Sequence, residues 1–516
     1  MNSNFKSILQ YNKTNSIILV VLLYAICYLF FDITFQHGDD IVMQQIANGT
    51  ITGKPDSHLV FINSITGYFL KFLYEYNNDI YWYSIIMVAL QSLSAVVIVF
   101  FVLKKIRKWY VILFTLCFLS YFIINIQFTS ITGLLSIAGI SLVMQLHEKS
   151  PFASFILPFF LFSAAILLRL EMFLFTMAIG IMYILLEYRE KRVPILYNRK
   201  NYIFGIALAF LLGYSYYFHT QEYSSKEWKY YTEFNKYRSL LNDNPHFTEF
   251  AINEADRDNT LRFLLAFQYT SKYNLDYVKQ LYREHSIPTA KEYFSTVYHT
   301  LLNNKPLWIY LLVIMFAFYI IDKRMYWIPI LSFMVITAYI AINLIPKDRV
   351  VLPLMFCIFL FSFYKLAEAN FKILTLLLST AISYFLCYLN KKMIHEPAPT
   401  ENNAFYDIDN YITVDYHFTT NHPFKLNQLK VNTPIYSGWL NNSPLQIEKL
   451  KSLGITATVP ISLIDNNEIN KKVAYRLMTN DSSILIPLKK YLATENKKLV
   501  LIKSNNLYSY YKIEPI

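Results

Sequence analysis

Glycine is scarce in this chain, with 11 glycines among 516 residues. The phosphate-binding patterns G-x-G-x-x-G and G-x-x-x-x-G-K-[ST] are absent from the sequence. Such loops need glycine because the backbone must approach a dinucleotide or an ATP phosphate closely. The sequence therefore argues against a dehydrogenase, a kinase or an ATPase.

Charge is also scarce, since 16% of the residues are charged and 55% are hydrophobic, against about 25% charged in an ordinary soluble domain. The four cysteines all lie inside apolar runs, which is typical of small buried hydrophobic residues and implies no disulfide framework. The net charge of +12 does not indicate nucleic acid, because the cations flank the apolar runs. These patterns predict a polytopic α-helical membrane protein.

A membrane-spanning helix needs roughly 20 apolar residues, and about eleven runs approach that length. The first seven runs are Ser16–Thr34, Tyr81–Leu103, Trp109–Ile124, Thr129–Leu146, Phe152–Leu168, Met172–Leu186 and Tyr202–Phe218. The last four are Pro306–Ile321, Met325–Leu344, Val350–Tyr364 and Ile373–Leu389. Basic clusters such as Lys104–Lys108, together with Lys365, fall on one side if the amino terminus is cytoplasmic.

This topology divides the chain into a transmembrane domain over residues 1–389 and a small extracytoplasmic α/β domain over 390–516. Two large loops of the first domain, residues 35–80 and 219–305, also face outward. In the second domain, Ser443 followed by Pro444 predicts the start of a helix. The runs Ile455–Ile464, Ser483–Leu488, Lys498–Lys503 and Leu507–Ile513 predict short strands.

The most specific pattern is His37-Gly38-Asp39-Asp40, directly after the first span. Two adjacent carboxylates at a membrane surface repel one another, so at least one should have a raised pKa unless a cation offsets it. Such a carboxylate can accept a proton from a hydroxyl group. The alternative is a solvated acidic N-cap for the helix that begins near Ile41.

Two further groups of charges stand at the outer ends of apolar runs. Arg169 is a candidate phosphate-binding residue, because a guanidinium fits phosphate geometry. Glu171 is its expected anionic partner and a candidate substrate-binding residue. The alternatives are a structural contact between the two residues, or an arginine that reaches the interface. Lys347 and Arg349 lie on the translocated side against the usual charge bias, so they are candidates for the same phosphate. Their alternative is anchoring to lipid headgroups.

The remaining candidates are substrate-binding residues in the outer loops. Trp228, Asn235 and Arg238 recur at helical spacing, and an indole stacks well on a sugar ring, although packing at the membrane interface is the alternative. His58 in the first outer loop is assigned to the same role. The histidines show no zinc-binding spacing, so no metal ligands are assigned. A divalent cation stays open as a cofactor.

The layout resembles the GT-C class of integral membrane glycosyltransferases, which includes protein O-mannosyltransferases and lipid A aminoarabinose transferases. The stretch from His37 to Asp40, with Met43 and the sequence Ala47-Asn48-Gly49, looks like the acidic motif of that class and the helix after it. The resemblance implies Asp39 as the catalytic carboxylate and Asp40 as its neighbour. There are two departures: the outer regions contain no Trp-Trp-Asp, and Asn125-Ile126-Gln127 lacks acidic metal ligands.

The expected function is transfer of a sugar from a polyprenyl-phosphate donor to a hydroxyl of a cell-surface glycan, lipid or protein, with inversion. Asp39 is the expected base, and Arg169 with Lys347 or Arg349 stabilises the departing phosphate. A surface-polysaccharide polymerase or ligase is one alternative, and a transporter of a lipid-linked substrate is another. Richness in Asn, Lys and Ile suggests a bacterial source.

Overall fold

In a computed structural model, the chain is mostly helical. The structure describes residues 13–146, 150–190, 199–242, 275–285, 298, 327–343 and 347–368, together with short stretches between 412 and 516. The helices are α1 Lys13–Phe30, α2 Gly38–Ala47, α3 Ser64–Tyr76, α4 Trp82–Phe101, α5 Trp109–Ile124, α6 Phe128–Val143, α7 Ile156–Leu168, α8 Leu170–Glu190, α9 Arg199–Glu222, α10 Lys226–Asn242, α11 Leu275–His285, α12 Trp327–Asn343, α13 Asp348–Glu368 and α14 Pro444–Ser452. The strands are β1 Thr34–Phe35, β2 Asn125–Ile126, β3 Ile412–Asp415, β4 Ile435–Tyr436, β5 Val473–Met478, β6 Lys497–Ser504 and β7 Tyr508–Pro515.

Within the part of the chain that the structure describes, five helical segments are long and apolar enough to cross a membrane, so the chain is a helical membrane protein. They are Lys13–Phe30, Trp82–Ile106, Leu170–Arg189, Arg199–Glu222 and Asp348–Leu366. Every predicted run from Ser16–Thr34 to Tyr202–Phe218 coincides with a helix, as do Met325–Leu344 and Val350–Tyr364. The predicted spans Pro306–Ile321 and Ile373–Leu389 lie outside the described residues.

Helix α6 lies at the centre of the bundle, with every residue from Phe128 to Ser141 buried. Its glycines allow neighbouring side chains to approach closely: a Cβ on Gly133 would lie 2.6 Å from Cβ of Pro353, and one on Gly139 would lie 2.4 Å from Cε1 of Phe162. Small residues at helix contacts are typical of membrane proteins, because close packing replaces the hydrophobic effect there.

Helix α13 packs against α6 and α8 and is almost completely buried. Near its carboxyl end, Lys365 bonds Glu187 of α8 at 2.6 Å. Lys365 is therefore buried against a carboxylate, and the side of the membrane predicted for it stays a prediction.

The first loop, residues 31–81 between α1 and α4, is tied to the centre of the bundle. Strand β1 pairs in parallel with β2, with Thr34 opposite Asn125 and Phe35 opposite Ile126. Helix α2 follows after two residues. Its apolar residues, Ile41 to Met43 with Ile46 and Ala47, are all buried. It ends at Ala47, and Gly49 follows the C-cap Asn48 in a turn whose φ of +82° and lack of space for a Cβ require glycine.

The carboxyl-terminal stretches contain a five-stranded sheet in the order β4-β3-β5-β7-β6. Strand β3 is parallel to β4 and β5, whereas β7 is antiparallel to β5 and β6. The start of α14 is confirmed, because Oγ of Ser443 accepts the N–H of Gln446 at 3.2 Å. The strands predicted at Lys498–Lys503 and Leu507–Ile513 are confirmed as β6 and β7.

The strand predicted at Ser483–Leu488 is wrong, because residues 485–486 and 488–489 are helical. Pro487 interrupts that run and has no N–H to donate to a strand ladder. The strand predicted at Ile455–Ile464 and the domain boundary predicted at residue 389 lie outside the described residues.

Candidate functional site

Asp39 and Arg349 meet where the first turns of α2 and α13 come together. Nη1 of Arg349 donates to Oδ2 of Asp39 at 2.8 Å, and the two side chains are 16% and 21% exposed. The backbone carbonyl of Arg349 accepts from Oγ of Ser130 at 3.2 Å, which ties this turn to α6. The predicted base and one predicted phosphate ligand therefore form a direct, partly exposed ion pair.

Asp40 has a completely different environment from its neighbour, because it is fully buried. Its Oδ1 accepts the hydroxyl of Tyr83 at 2.9 Å and the N–H of Phe128 at 3.2 Å. Among the described residues, Oδ2 has no hydrogen-bond partner. Burial raises the pKa of Asp40 to about 8, and the hydrogen bond from Tyr83 opposes this effect.

The N-cap alternative is wrong for this acidic pair. The capping residue is His37, whose side chain makes no capping hydrogen bond, and Asp40 lies in the interior instead of in solvent. The expectation of one raised pKa is met by Asp40. Both carboxylates still lie in the first turn of α2, where the helix dipole favours negative charge.

His37 lies next to the ion pair and carries little positive charge at neutral pH. Burial lowers the pKa of His37, the positive charge of Arg349 lowers it further, and Asp39 opposes them. Lys347 also acts on this ring electrostatically and lies at the start of α13, where its carbonyl accepts the N–H of Val350 at 2.9 Å. Three predicted site residues, Asp39, Lys347 and Arg349, are thus brought together.

Arg169 is the C-cap of α7, and it approaches this site from the other side of Phe128. Its Nη1 donates to the carbonyl of Phe61 at 3.1 Å, and Nε lies 3.0 Å from Oε2 of Glu171. Its guanidinium lies 5.8 Å from the ring of Phe61 and 5.9 Å from that of Phe128. Arg169 and Glu171 are thus in contact, and the phosphate-binding role of Arg169 stays a prediction. The backbone N–H of Phe128 donates to Oδ1 of Asp40.

His58 and Trp228, predicted in separate loops, form one stacked pair with ring centroids 4.8 Å apart and an interplanar angle of 14°. Nδ1 of His58 lies 2.7 Å from Oδ1 of Asp56, and Nε2 lies 3.8 Å from Oε2 of Glu222. Burial raises the pKa of Asp56, but hydrogen bonds from the ring and N–H of His58 outweigh burial and leave it below the ordinary value.

Asn235 and Arg238 bind one another on α10. Nε and Nη2 of Arg238 donate to Oδ1 of Asn235 at 3.0 and 2.8 Å. They belong to the stretch of α10 that packs against α11 through Phe234 and Leu241. Their helical spacing therefore reflects a contact within one turn of helix.

Four residues of this region were missed from the sequence: Asp56, Tyr83, Glu222 and Tyr223. Asp56 had a local indication, because an Asp two residues before His58 can accept its backbone N–H, here at 2.8 Å. The others are distant in sequence from their partners, so only the fold brings them in. Among the described residues, no group of three or more His, Cys, Asp or Glu side chains is placed to hold a metal ion.

The fold and the site together define a helical membrane protein with a charged centre at one end of its bundle. Comparison with known proteins goes no further, since no family model, no curated protein and no solved structure matches the chain.

Proposed function

We propose that the chain is a membrane glycosyltransferase that moves a sugar from a polyprenyl-phosphate donor to an acceptor hydroxyl on a cell-surface glycan, lipid or protein. The observation that supports it is the ion pair of Asp39 and Arg349, 2.8 Å apart and partly exposed. A carboxylate and a guanidinium at one point supply a base and a phosphate-binding group together.

In this mechanism, the oxygen of the acceptor hydroxyl attacks the anomeric carbon, and Asp39 accepts the proton of that hydroxyl. The bond from that carbon to the phosphate oxygen breaks, and its electron pair leaves with the lipid phosphate. Arg349 exchanges Asp39 for the phosphate, and Arg169 and Lys347 add positive charge around it. A single displacement of this kind inverts the anomeric carbon.

The helix dipole at α2 and the burial of Asp40 support different roles for the two carboxylates. Asp40 is protonated at neutral pH because its pKa is about 8, so the site contains one negative carboxylate instead of two. A single charge leaves Arg349 able to bind a phosphate without competition from a second anion. This supports Asp39 as the base and Asp40 as its support.

The finer topology belongs to the same proposal. Eleven spans, a cytoplasmic amino terminus and an extracytoplasmic carboxyl-terminal domain would put Asp39 at the outer face of a bacterial cell membrane. In agreement with this, α2, α6 and α13 all begin at the Asp39 end of the bundle, and α9 ends there.

The test uses the purified full chain in detergent with a panel of short-chain prenyl-phosphate hexoses and pentoses. Release of prenyl phosphate is followed by mass spectrometry. We expect Asp39→Asn to lower the rate by about 10²- to 10⁴-fold, as for loss of a general base. Asp79→Asn makes the same chemical change on an exposed residue of the first loop and should leave the rate unchanged.

Full activity of Asp39→Asn would refute the mechanism. Uptake of the donor into vesicles without release of prenyl phosphate would support a transporter instead. Dispensable Asp39 with loss of activity on replacing Arg169 would support a polysaccharide polymerase or ligase.

A further inference from the structure

A cavity with a mixed polar and apolar lining lies between the first loop and the connection from α9 to α10. Its volume is about 420 Å³, within the range of small-molecule sites. The lining includes the imidazole of His219, the amide of Gln221, and the hydroxyls of Ser224 and Thr232. Among the described residues that line it, Lys229 is the one lysine, and there is no arginine, aspartate or glutamate.

The back wall of this cavity is held rigidly by aromatic side chains. Tyr223 is buried, and its hydroxyl accepts the N–H of Val60 at 2.9 Å. The ring of Tyr223 lies edge-on to His58 at 5.4 Å and to Trp228 at 4.8 Å. A wall ordered before the ligand arrives reduces the conformational entropy that binding must remove.

Val60 also lines the cavity and has an unusual backbone conformation, with φ of +66°. This left-handed region is a genuine outlier for a β-branched residue, and such strain clusters at ligand clamps and active sites. The hydrogen bond from Val60 to Tyr223, and the bond from Arg169 to the carbonyl of Phe61, hold the turn on both sides.

The chemistry of the lining selects the class of ligand. Hydroxyl, amide and imidazole groups both donate and accept hydrogen bonds, which fits a ligand with many neutral hydroxyls. A ligand with several negative charges fits less well, because Lys229 is the one cationic side chain among the described residues of the lining and the other polar groups are neutral hydroxyl, amide and imidazole groups. An apolar ligand would leave the polar lining without partners.

We propose that this cavity binds a saccharide, the acceptor of the sugar transfer, and this inference rests on the proposed function. The cavity is connected to the ion pair by consecutive contacts: Phe61 follows Val60, Arg169 binds Phe61 and lies over Phe128, and Phe128 donates to Asp40. These contacts join the wall of the cavity at Val60 to Asp40, the residue next to Asp39.

Binding is tested on the full chain in detergent by saturation-transfer NMR. The probes are the methyl glycosides of glucose, galactose, mannose and N-acetylglucosamine. We expect at least one to bind saturably, and Lys229→Ala with Thr232→Val to raise its Kd about tenfold, as for loss of two hydrogen bonds. Ser224→Ala is the milder variant and should raise Kd less. Lys236→Ala, on the same helix, is the control and should leave Kd unchanged.

Two results would overturn the assignment: no glycoside binds, or the double variant binds as well as the native chain. Preferential binding of inorganic phosphate would overturn it too and make the cavity an anion site. Asp39→Asn separates the two proposals. If it binds the glycoside normally and loses prenyl phosphate release, both are supported. Glycoside binding without any release dependent on Asp39 would refute the proposed function alone, and release without binding would refute the cavity assignment alone.

Discussion

The two ends of α13 each carry an ion pair, and the pairs differ in what surrounds them. At the beginning of the helix, Arg349 and Asp39 are 16% and 21% exposed. Near the end, Lys365 and Glu187 are 2.6 Å apart and only 3% and 4% exposed. The hydroxyl of Tyr364 donates to the second carboxylate oxygen of Glu187 at 3.0 Å, so both oxygens are satisfied there.

This difference separates a structural pair from one that can react. A substrate cannot reach a closed, fully hydrogen-bonded pair. Removal of one partner leaves the other as an uncompensated buried charge. A partly open pair can exchange one partner for a phosphate or a hydroxyl, because solvent and ligand reach it. Burial, more than the presence of opposite charges, therefore indicates which end of α13 is accessible for the proposed chemistry.

The largest expected effect concerns the closed pair. Replacing Lys365 by Met leaves Glu187 as an uncompensated buried charge, and we expect the free energy of unfolding to fall by about 3 to 5 kcal/mol. Replacing Arg349 by Met should cost about 1 kcal/mol or less, since its partner remains in contact with water. Equilibrium unfolding in mixed detergent micelles measures both.

The double variant Lys365→Met with Glu187→Leu is the control for that prediction. It removes both charges, so most of the lost stability should return. Equal losses for Lys365→Met and Arg349→Met would show that burial does not distinguish the pairs.

The second prediction sharpens the comparison within the acidic motif. The pKa of Asp40 is about 8 in the folded chain, above its ordinary value of 3.8. Between these two pH values the folded chain binds more protons at Asp40 than the unfolded chain does. The contribution of Asp40 to the free energy of unfolding is therefore highest below pH 4 and falls as the pH rises towards 8. The slope is up to about 1.4 kcal/mol per pH unit, or roughly 2 kcal/mol between pH 6 and 8.

Asp40→Asn tests this prediction, because the amide cannot ionise and its oxygen can still accept from Tyr83 and Phe128. The variant should lose this fall in unfolding free energy with rising pH. Asp39→Asn is the matched change one residue away and should keep it. An unchanged pH profile in Asp40→Asn would mean that this carboxyl is ionised in the folded chain at neutral pH.

Much of the bundle was predictable, because long apolar runs in the sequence indicate the helices. The start of α14 was predictable from Ser443 and Pro444. The candidate site was predictable as a set of residue types. Its pairing was not, since Asp39 and Arg349 are 310 residues apart and only packing around α6 joins them. The burial of Lys365 was not predictable either, because its partner Glu187 lies on another helix.

The smallest expected effect is at the third ion pair, between Arg169 and Glu171, whose side chains are 30% and 64% exposed. We expect Glu171→Gln to change the free energy of unfolding by less than about 1 kcal/mol, because water screens the pair. Arg169 keeps its bond to the carbonyl of Phe61, so its position should hold. The same unfolding measurement checks this. A loss near 3 kcal/mol would contradict the prediction, because it would equal the loss expected for the buried pair of Lys365 and Glu187. If Arg169 binds the donor phosphate as proposed, prenyl phosphate release should persist in this variant, because Glu171→Gln removes the anion that Arg169 contacts.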